Sequence, residues 1–304
     1  MEIENVEQNI NKNKSLPKRF VFVALCLLGL SFVINIFIKS PNRDQDILIH
    51  ISKGETLSTI TNELFEKKII NSPALIERMV GFINTDKGTD VGDYLFTKDI
   101  PSYKVAYMLA RSYHNVKPTK ITFPEGATNL EMANVLGSKI ANFDKELFLS
   151  KTSGMQGKLL PDTYFFWQLS TSEEVINSLS TAYTKKIAPL LPKTYLKYSE
   201  NEILSMAAIV QKEALGKVDA GNIAGILFRR LEKGMLLQVD AAPITYKVKG
   251  LPTVPIANPG VVAVQASVNP VSSPYLFYLH DKDGTIHYAK TFEEHKLNIK
   301  KYLK

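Results

Sequence analysis

The residue whose setting points most directly to chemistry is Glu213, the last acid of the stretch SENEILSMAAIVQKE at 199–213. Ile203, Met206, Ala207, Val210 and Ala214 recur there at helical spacing, and Leu204, Ala208 and Ile209 fill the other faces. A helix apolar on all sides belongs inside a domain. Glu213 continues the stripe of Met206 and Ile209. A carboxyl at the end of a buried helix loses solvation, which disfavours its charged form and suits it to exchange a proton near neutral pH. The plainer alternative is that Glu213 pairs with Lys212 or Lys217, or simply reaches water.

Other chemistries find little support. His280, His287 and His295 lack the HExxH or paired-cysteine spacing of a zinc site, so no metal and no cofactor is expected. There is no GxSxG or SxxK nucleophile motif, no P-loop and no dinucleotide fingerprint. The charge balance of 37 basic to 30 acidic residues gives +7. That mild excess suits an anionic membrane surface or an acidic polymer and is too diffuse for nucleic acid. The single cysteine, Cys26, excludes an intramolecular disulfide. What remains is a set of carboxylates, amides and aromatics, the materials of glycan chemistry or glycan binding. Asp162 follows Pro161 in a turn where it can bond nearby backbone amides. Its neighbours Tyr164, Phe165, Phe166 and Trp167 read as core or as a sugar-stacking wall.

The elements that position these residues form an α+β chain. Residues 1–19 read as a polar cytoplasmic tail. Residues 20–38 carry no charge and are long enough to cross a hydrocarbon core of about 30 Å. Lys12, Lys14, Lys18 and Arg19 precede that run, which orients the N-terminus to the cytoplasm and the rest of the chain outward. An uncleaved single-pass membrane anchor is the expectation, with a cleaved signal peptide as its competitor. Residues 46–115 then run strand (46–51), helix (57–65), helix (from Pro73), strand (91–96), helix (102–109). That is the order of a small LysM-like subdomain or of any small α+β domain. Residues 118–304 make a mixed α+β domain: a strand at 120–123, a helix opened by Thr128, and a helical stretch over 129–155. After the Glu213 helix, with Gly216 as its C-cap, come a helix over 222–231, a strand or turn at 235–242 and a Pro/Gly-rich loop at 250–260. A helix at 261–268, a hairpin turning at Asp283-Gly284 and a final helix over 291–303 complete the chain.

These residues carry a resemblance. IVQKE (209–213), LEKGMLLQVD (231–240), GLP (250–252), ANPG (257–260) and NPVSSPYLFY (269–278) resemble, in order, the endolytic murein transglycosylases of the MltG or YceG-like family. PEG (124–126) and LPDTY (160–164) also match upstream. The resemblance implies a single-pass inner-membrane protein whose LysM-like subdomain and catalytic domain face the periplasm. It implies cleavage of nascent glycan strands between MurNAc and GlcNAc with 1,6-anhydroMurNAc formation, and association with peptidoglycan synthases. Glu213 falls on the family's catalytic acid. Gln238 and Asp240 match its Q-T-D string and are candidates to hold N-acetyl or hydroxyl groups. Asn258, Glu125, Asp162, Tyr164 and Gln211 are further substrate-binding candidates.

Three departures stand against this. The first acid of the family's I-[IV]-E-K-E is Gln211, Gln156-Gly157 replaces E-G, and the segment 241–249 is much shortened. They keep a second reading open, a non-catalytic membrane-anchored scaffold that binds peptidoglycan. A third is a two-carboxylate muramidase with Asp240 or Asp162 as partner.

Overall fold

Thr128, Thr171, Ser199 and Thr291 each open a helix by the same device. The side-chain hydroxyl accepts the N–H three residues on, and a Glu at that position reaches back to the cap's own N–H. The computed structural model describes residues 18–37, 41, 43–83, 89–191 and 197–303. The chain divides into two units, residues 1–117 and 118–304.

The first unit begins with helix α1 (Lys18–Phe37), whose side chains are described from Arg19 to Phe32. Phe20, Phe22, Leu25, Leu28 and Phe32 are all exposed on it. Among the described residues no helix is long and apolar enough to cross a membrane. Residues 1–17 and 38–40, at the ends of the expected tail and span, lie outside the described residues. Next come β1 (Ile47–Ile51), α2 (Leu57–Glu66), α3 (Pro73–Ile83), β2 (Gly92–Phe96) and α4 (Ser102–Arg111). β1 and β2 pair antiparallel, with Ile47 opposite Phe96 and Ile51 opposite Gly92. The alternation of ILIHI sends Ile49 and Ile51 into a core shared with Ile60, Leu64, Tyr94, Phe96 and Met108. His50 then faces Asp93 across the pair, their side chains 2.6 Å apart, which gives the fully buried Asp93 carboxylate a partner.

The second unit runs β3 (Thr119–Thr122), α5 (Asn129–Gly137), α6 (Lys145–Lys151), β4 (Thr163–Phe166), α7 (Ser172–Lys186) and α8 (Glu200–Glu213). It continues through α9 (Lys217–Glu232), α10 (Val261–Val268), β5 (Phe277–His280), β6 (Ile286–Ala289) and α11 (Phe292–Tyr302). One core gathers Ile121, Phe123, Met132, Phe148 and Val175 beneath the β3–β4 pair. The other is built on α8, whose residues from Ile203 to Val210 are all buried, against Ile223 and Leu227 of α9 and Val264 of α10. The expected helix is therefore present, cap and body.

Its far end differs from expectation. Ala214 caps α8 in an extended conformation, and Gly216 instead precedes α9, which starts at Lys217 rather than at Asn222. The stretch 129–155 is two helices, broken where the Asp144 side chain accepts from Leu147 N at 2.8 Å. Helix α7, which is not among the expected elements, follows β4 and buries Val175, Ile176, Leu179 and Tyr183 at helical spacing. The hairpin turn is as expected: Gly284 has φ +80° and β5 pairs antiparallel with β6.

Tyr94 gives the first unit a pH dependence. Burial holds its phenol up at about 12, and its hydroxyl donates to Asp90 O at 3.0 Å. In the unfolded chain the same group titrates near 10. Its contribution is complete below about pH 10 and is lost as pH rises through about 12. Thermal melts of the full chain between about pH 9 and 12 should show a loss to which the buried Tyr164, Tyr183 and Tyr278 also contribute, and Tyr94→Phe should lessen it.

Candidate active site

Glu213 closes α8 and stands half-buried in a cleft of about 390 Å³ lined also by Arg230, Gln238, Asp240, Tyr246, Phe277, Tyr278 and His295. The β5–β6 hairpin brings Tyr278 to it. A Cβ on Gly284 at the hairpin turn would come 3.3 Å from Leu215 Cδ1, so the turn packs on the loop that follows α8. Tyr278 on β5 donates its hydroxyl to Glu213 Oε2 at 3.0 Å. Burial first, and the Glu213 charge next, push the Tyr278 phenol upward, so it stays protonated and remains a donor. The bond engages one carboxyl oxygen and leaves Oε1 for other partners.

Asp240 lines the same cleft, its Oδ1 accepting from the Tyr246 hydroxyl at 2.5 Å. That tyrosine belongs to the shortened 241–249 segment, which folds back in a single 3₁₀ turn, Pro243–Tyr246. Thr245 ties the turn down: its hydroxyl accepts from Val239 N at 3.0 Å and donates to Ala242 O at 2.7 Å. The short segment therefore still furnishes a wall. Gln238 sits exposed at φ +50°, a left-handed conformation rare outside glycine. Its Oε1 accepts from Arg230 Nη2 at 2.7 Å.

Of the residues singled out by sequence, the structure brings Glu213, Gln238 and Asp240 together. Glu125 and Gln211 line a different depression beside Ala214 and Val262. There Gln211 Oε1 accepts from Gly260 N at 3.0 Å, and a side chain at Gly260 would strike the Glu125 carboxylate. Asp162 lines a third depression with Glu125 and is engaged by Lys186 Nζ at 2.6 Å, which draws its pKa down. It does bond a backbone amide as expected, that of Thr163 at 2.7 Å, but it shares no cleft with Glu213.

Two candidates are corrected. Asn258 is fully buried and all four of its hydrogen-bonding positions are filled from within the protein. Oδ1 accepts from Gly157 N (2.8 Å) and Leu159 N (3.1 Å), while Nδ2 donates to Ala127 O (3.0 Å) and Asn129 Oδ1 (2.8 Å). It staples three loops and has nothing left for a ligand. Tyr164 packs against Phe123 and Phe166, and its hydroxyl donates to Leu160 O at 2.8 Å, so it belongs to the core side of the aromatic run. Phe165, on the other face of β4, is exposed.

Sequence reasoning missed Tyr246, Tyr278, Phe277, His295 and above all Arg230. Arg230 is only 6% exposed, and among the described residues no carboxylate pairs with it. A signal existed: Ile223, Leu227 and Arg230 lie on one stripe of α9, so an arginine continues a buried face. His295, stacked on Phe277, has its pKa lowered by burial and then by Arg230.

An α+β unit in which a buried helix delivers an acid to a polar cleft has relatives along most of this chain. Residues 49–244 and 244–301 match the model of the YceG-like family, and the chain belongs to that family. It is 26% identical over 317 residues to the endolytic murein transglycosylase of Bacillus subtilis (strain 168), covering 84% of each chain. It is 25% identical over 244 residues to the endolytic murein transglycosylase of Streptococcus pneumoniae serotype 2 (strain D39 / NCTC 7466). That match covers 60% of this chain and 44% of the pneumococcal protein. A crystal structure of a yceG-like protein from Listeria monocytogenes is similar at 27% identity and a TM-score of 0.52, over 84% of this chain and 99% of that one.

The Asn258 staple is testable. Asn258→Ala leaves the Gly157 and Leu159 amides and Asn129 Oδ1 unpaired in a buried site, while Ala127 O keeps the backbone N–H of residue 258. This should cost about 3 kcal/mol or more of unfolding free energy in a urea titration. A loss within about 0.5 kcal/mol, the range of an ordinary surface change, would restore it as a ligand-binding candidate.

Proposed function

We propose that this protein is an endolytic peptidoglycan lytic transglycosylase that cleaves glycan strands between MurNAc and GlcNAc. The observation that carries the reading is Glu213, delivered by a buried helix into a polar cleft with one oxygen held by Tyr278 and the other left for a substrate. The names of the Bacillus and Streptococcus relatives support it. Glu213 gives its proton to the glycosidic oxygen as the bond from C1 of MurNAc breaks, and the GlcNAc O4 leaves as a hydroxyl. The same carboxylate then takes the proton of the MurNAc C6 hydroxyl, whose oxygen closes on C1 to form the 1,6-anhydro ring. No water is consumed, and the carboxyl ends in its starting state.

In this reading residues 20–38 anchor the chain in the inner membrane with the N-terminus in the cytoplasm. The rest of the first unit and the second unit then face the periplasm. The first unit, with its strand–helix–helix–strand order, acts as a LysM-like contact with the glycan. A muramidase reading has one observation in its favour, namely that Asp240 shares the cleft. The chemistry of the new ends separates the two.

Digestion of purified peptidoglycan with the detergent-solubilised full chain should release fragments with 1,6-anhydro ends by mass spectrometry. Glu213→Gln should remain folded and lose activity by about a hundredfold or more. Reducing ends alone would identify a hydrolase, and binding to sacculi without release would identify a scaffold.

A further inference from the structure

Arg230 is the buried cation of the cleft. Its Nη2 donates to Gln238 Oε1, its guanidinium carbon lies 5.5 Å from the centre of the Phe277 ring, and its Nε has no partner among the described residues. A guanidinium only donates, so the Gln238 oxygen must be the atom that faces it. The Gln238 amide is thereby fixed with its NH₂ turned away from Arg230. The left-handed backbone at Gln238 is held by Gln238 N donating to Thr245 O at 3.2 Å. Two residues on, Asp240 offers the opposite chemistry: Tyr246 occupies Oδ1, and Oδ2 remains as an acceptor.

Resting on the transglycosylase reading, we infer that Arg230 is a positioning residue. It locks Gln238 as a donor beside the Asp240 acceptor, and this pair selects the acetamido group of an N-acetylated sugar. The acetamido carbonyl accepts from Gln238 Nε2, and its N–H donates to Asp240. A hydroxyl is satisfied by either side chain alone, whereas an acetamido group uses both. Were Gln238 free to rotate, its oxygen would meet the acetamido carbonyl as readily as its NH₂ does. The guanidinium removes that ambiguity, and Phe277 backs it through its ring face. This gives a reason for a cation to be buried in the cleft with no carboxylate paired to it among the described residues.

The test is calorimetric binding to the detergent-solubilised full chain carrying Glu213→Gln, so that the probe is not cleaved; this is the parent protein for the further variants. The probes are a peptide-free GlcNAc–MurNAc tetrasaccharide and the same oligomer after N-deacetylation. The parent protein should favour the acetylated form by about tenfold or more. Gln238→Glu keeps size and the contact with Arg230 but presents an acceptor to the cleft, and should abolish or invert that preference. Arg230→Gln should reduce the preference about tenfold, while Arg230→Lys, which still donates, should retain more of it. An unchanged preference in folded Gln238→Glu, or no preference in the parent, overturns the inference. Because Gln238→Glu alters an exposed side chain, it tests the donor role of Gln238 even if Arg230→Gln fails to fold, and Arg230→Lys, which keeps the charge, then reads the positioning role. The readout is binding, so missing anhydro products would defeat the transglycosylase reading without touching this result.

Discussion

The hydrogen bond from Tyr278 to Glu213 is the contact on which the site depends. It joins the end of a buried helix to a strand of a hairpin 65 residues further along the chain. The helix cannot shift, because every residue from Ile203 to Val210 is buried in the core shared with α9 and α10. The strand is fixed by its pairing with β6 and by a glycine turn resting near Leu215. A carboxyl held in this way has one oxygen engaged and one available, which is the geometry that a single group needs to act first as acid and then as base.

Around that contact the protein repeatedly uses one polar group to fix another. Tyr246 holds Asp240, Arg230 holds Gln238, and Thr245 holds the turn from which Tyr246 projects. Away from the cleft, Asn258 binds three loops together without facing solvent. Asn129, one of its partners, has a further contact with Gln156, whose Oε1 accepts from Asn129 N at 3.1 Å. The Gln156 that departs from the family's pattern is thus part of this internal scaffold, and Gln211, the other departure, is engaged by the Gly260 amide.

How much of this is legible in the sequence depends on the range of the interaction. The Glu213 helix is legible because a capping box, a continuous apolar body and a terminal acid are all local signals within 199–213. The hairpin at Asp283-Gly284 is legible for the same reason. Asn258 misleads because a loop asparagine beside proline and glycine looks alike whether it faces a ligand or a partner about 100 residues away, as Gly157 is. Tyr278 gains its role only through a tertiary pairing 65 residues away, so nothing local marks it, whereas Tyr246 reaches Asp240 within one short turn. Arg230 is the exception, since its stripe position is visible, and an arginine on a buried face carries a high desolvation cost that calls for an explanation. Helix α7 also has a local signal, the Thr171–Glu174 capping box.

The central claim is that one carboxyl serves both proton transfers and that the sugar's own C6 oxygen, not water, attacks C1. Digestion of peptidoglycan by the full chain in water enriched in oxygen-18 tests this directly. The account predicts newly formed MurNAc ends that carry no heavy oxygen. Heavy oxygen appearing at C1 of those ends would show that water attacks and would contradict it.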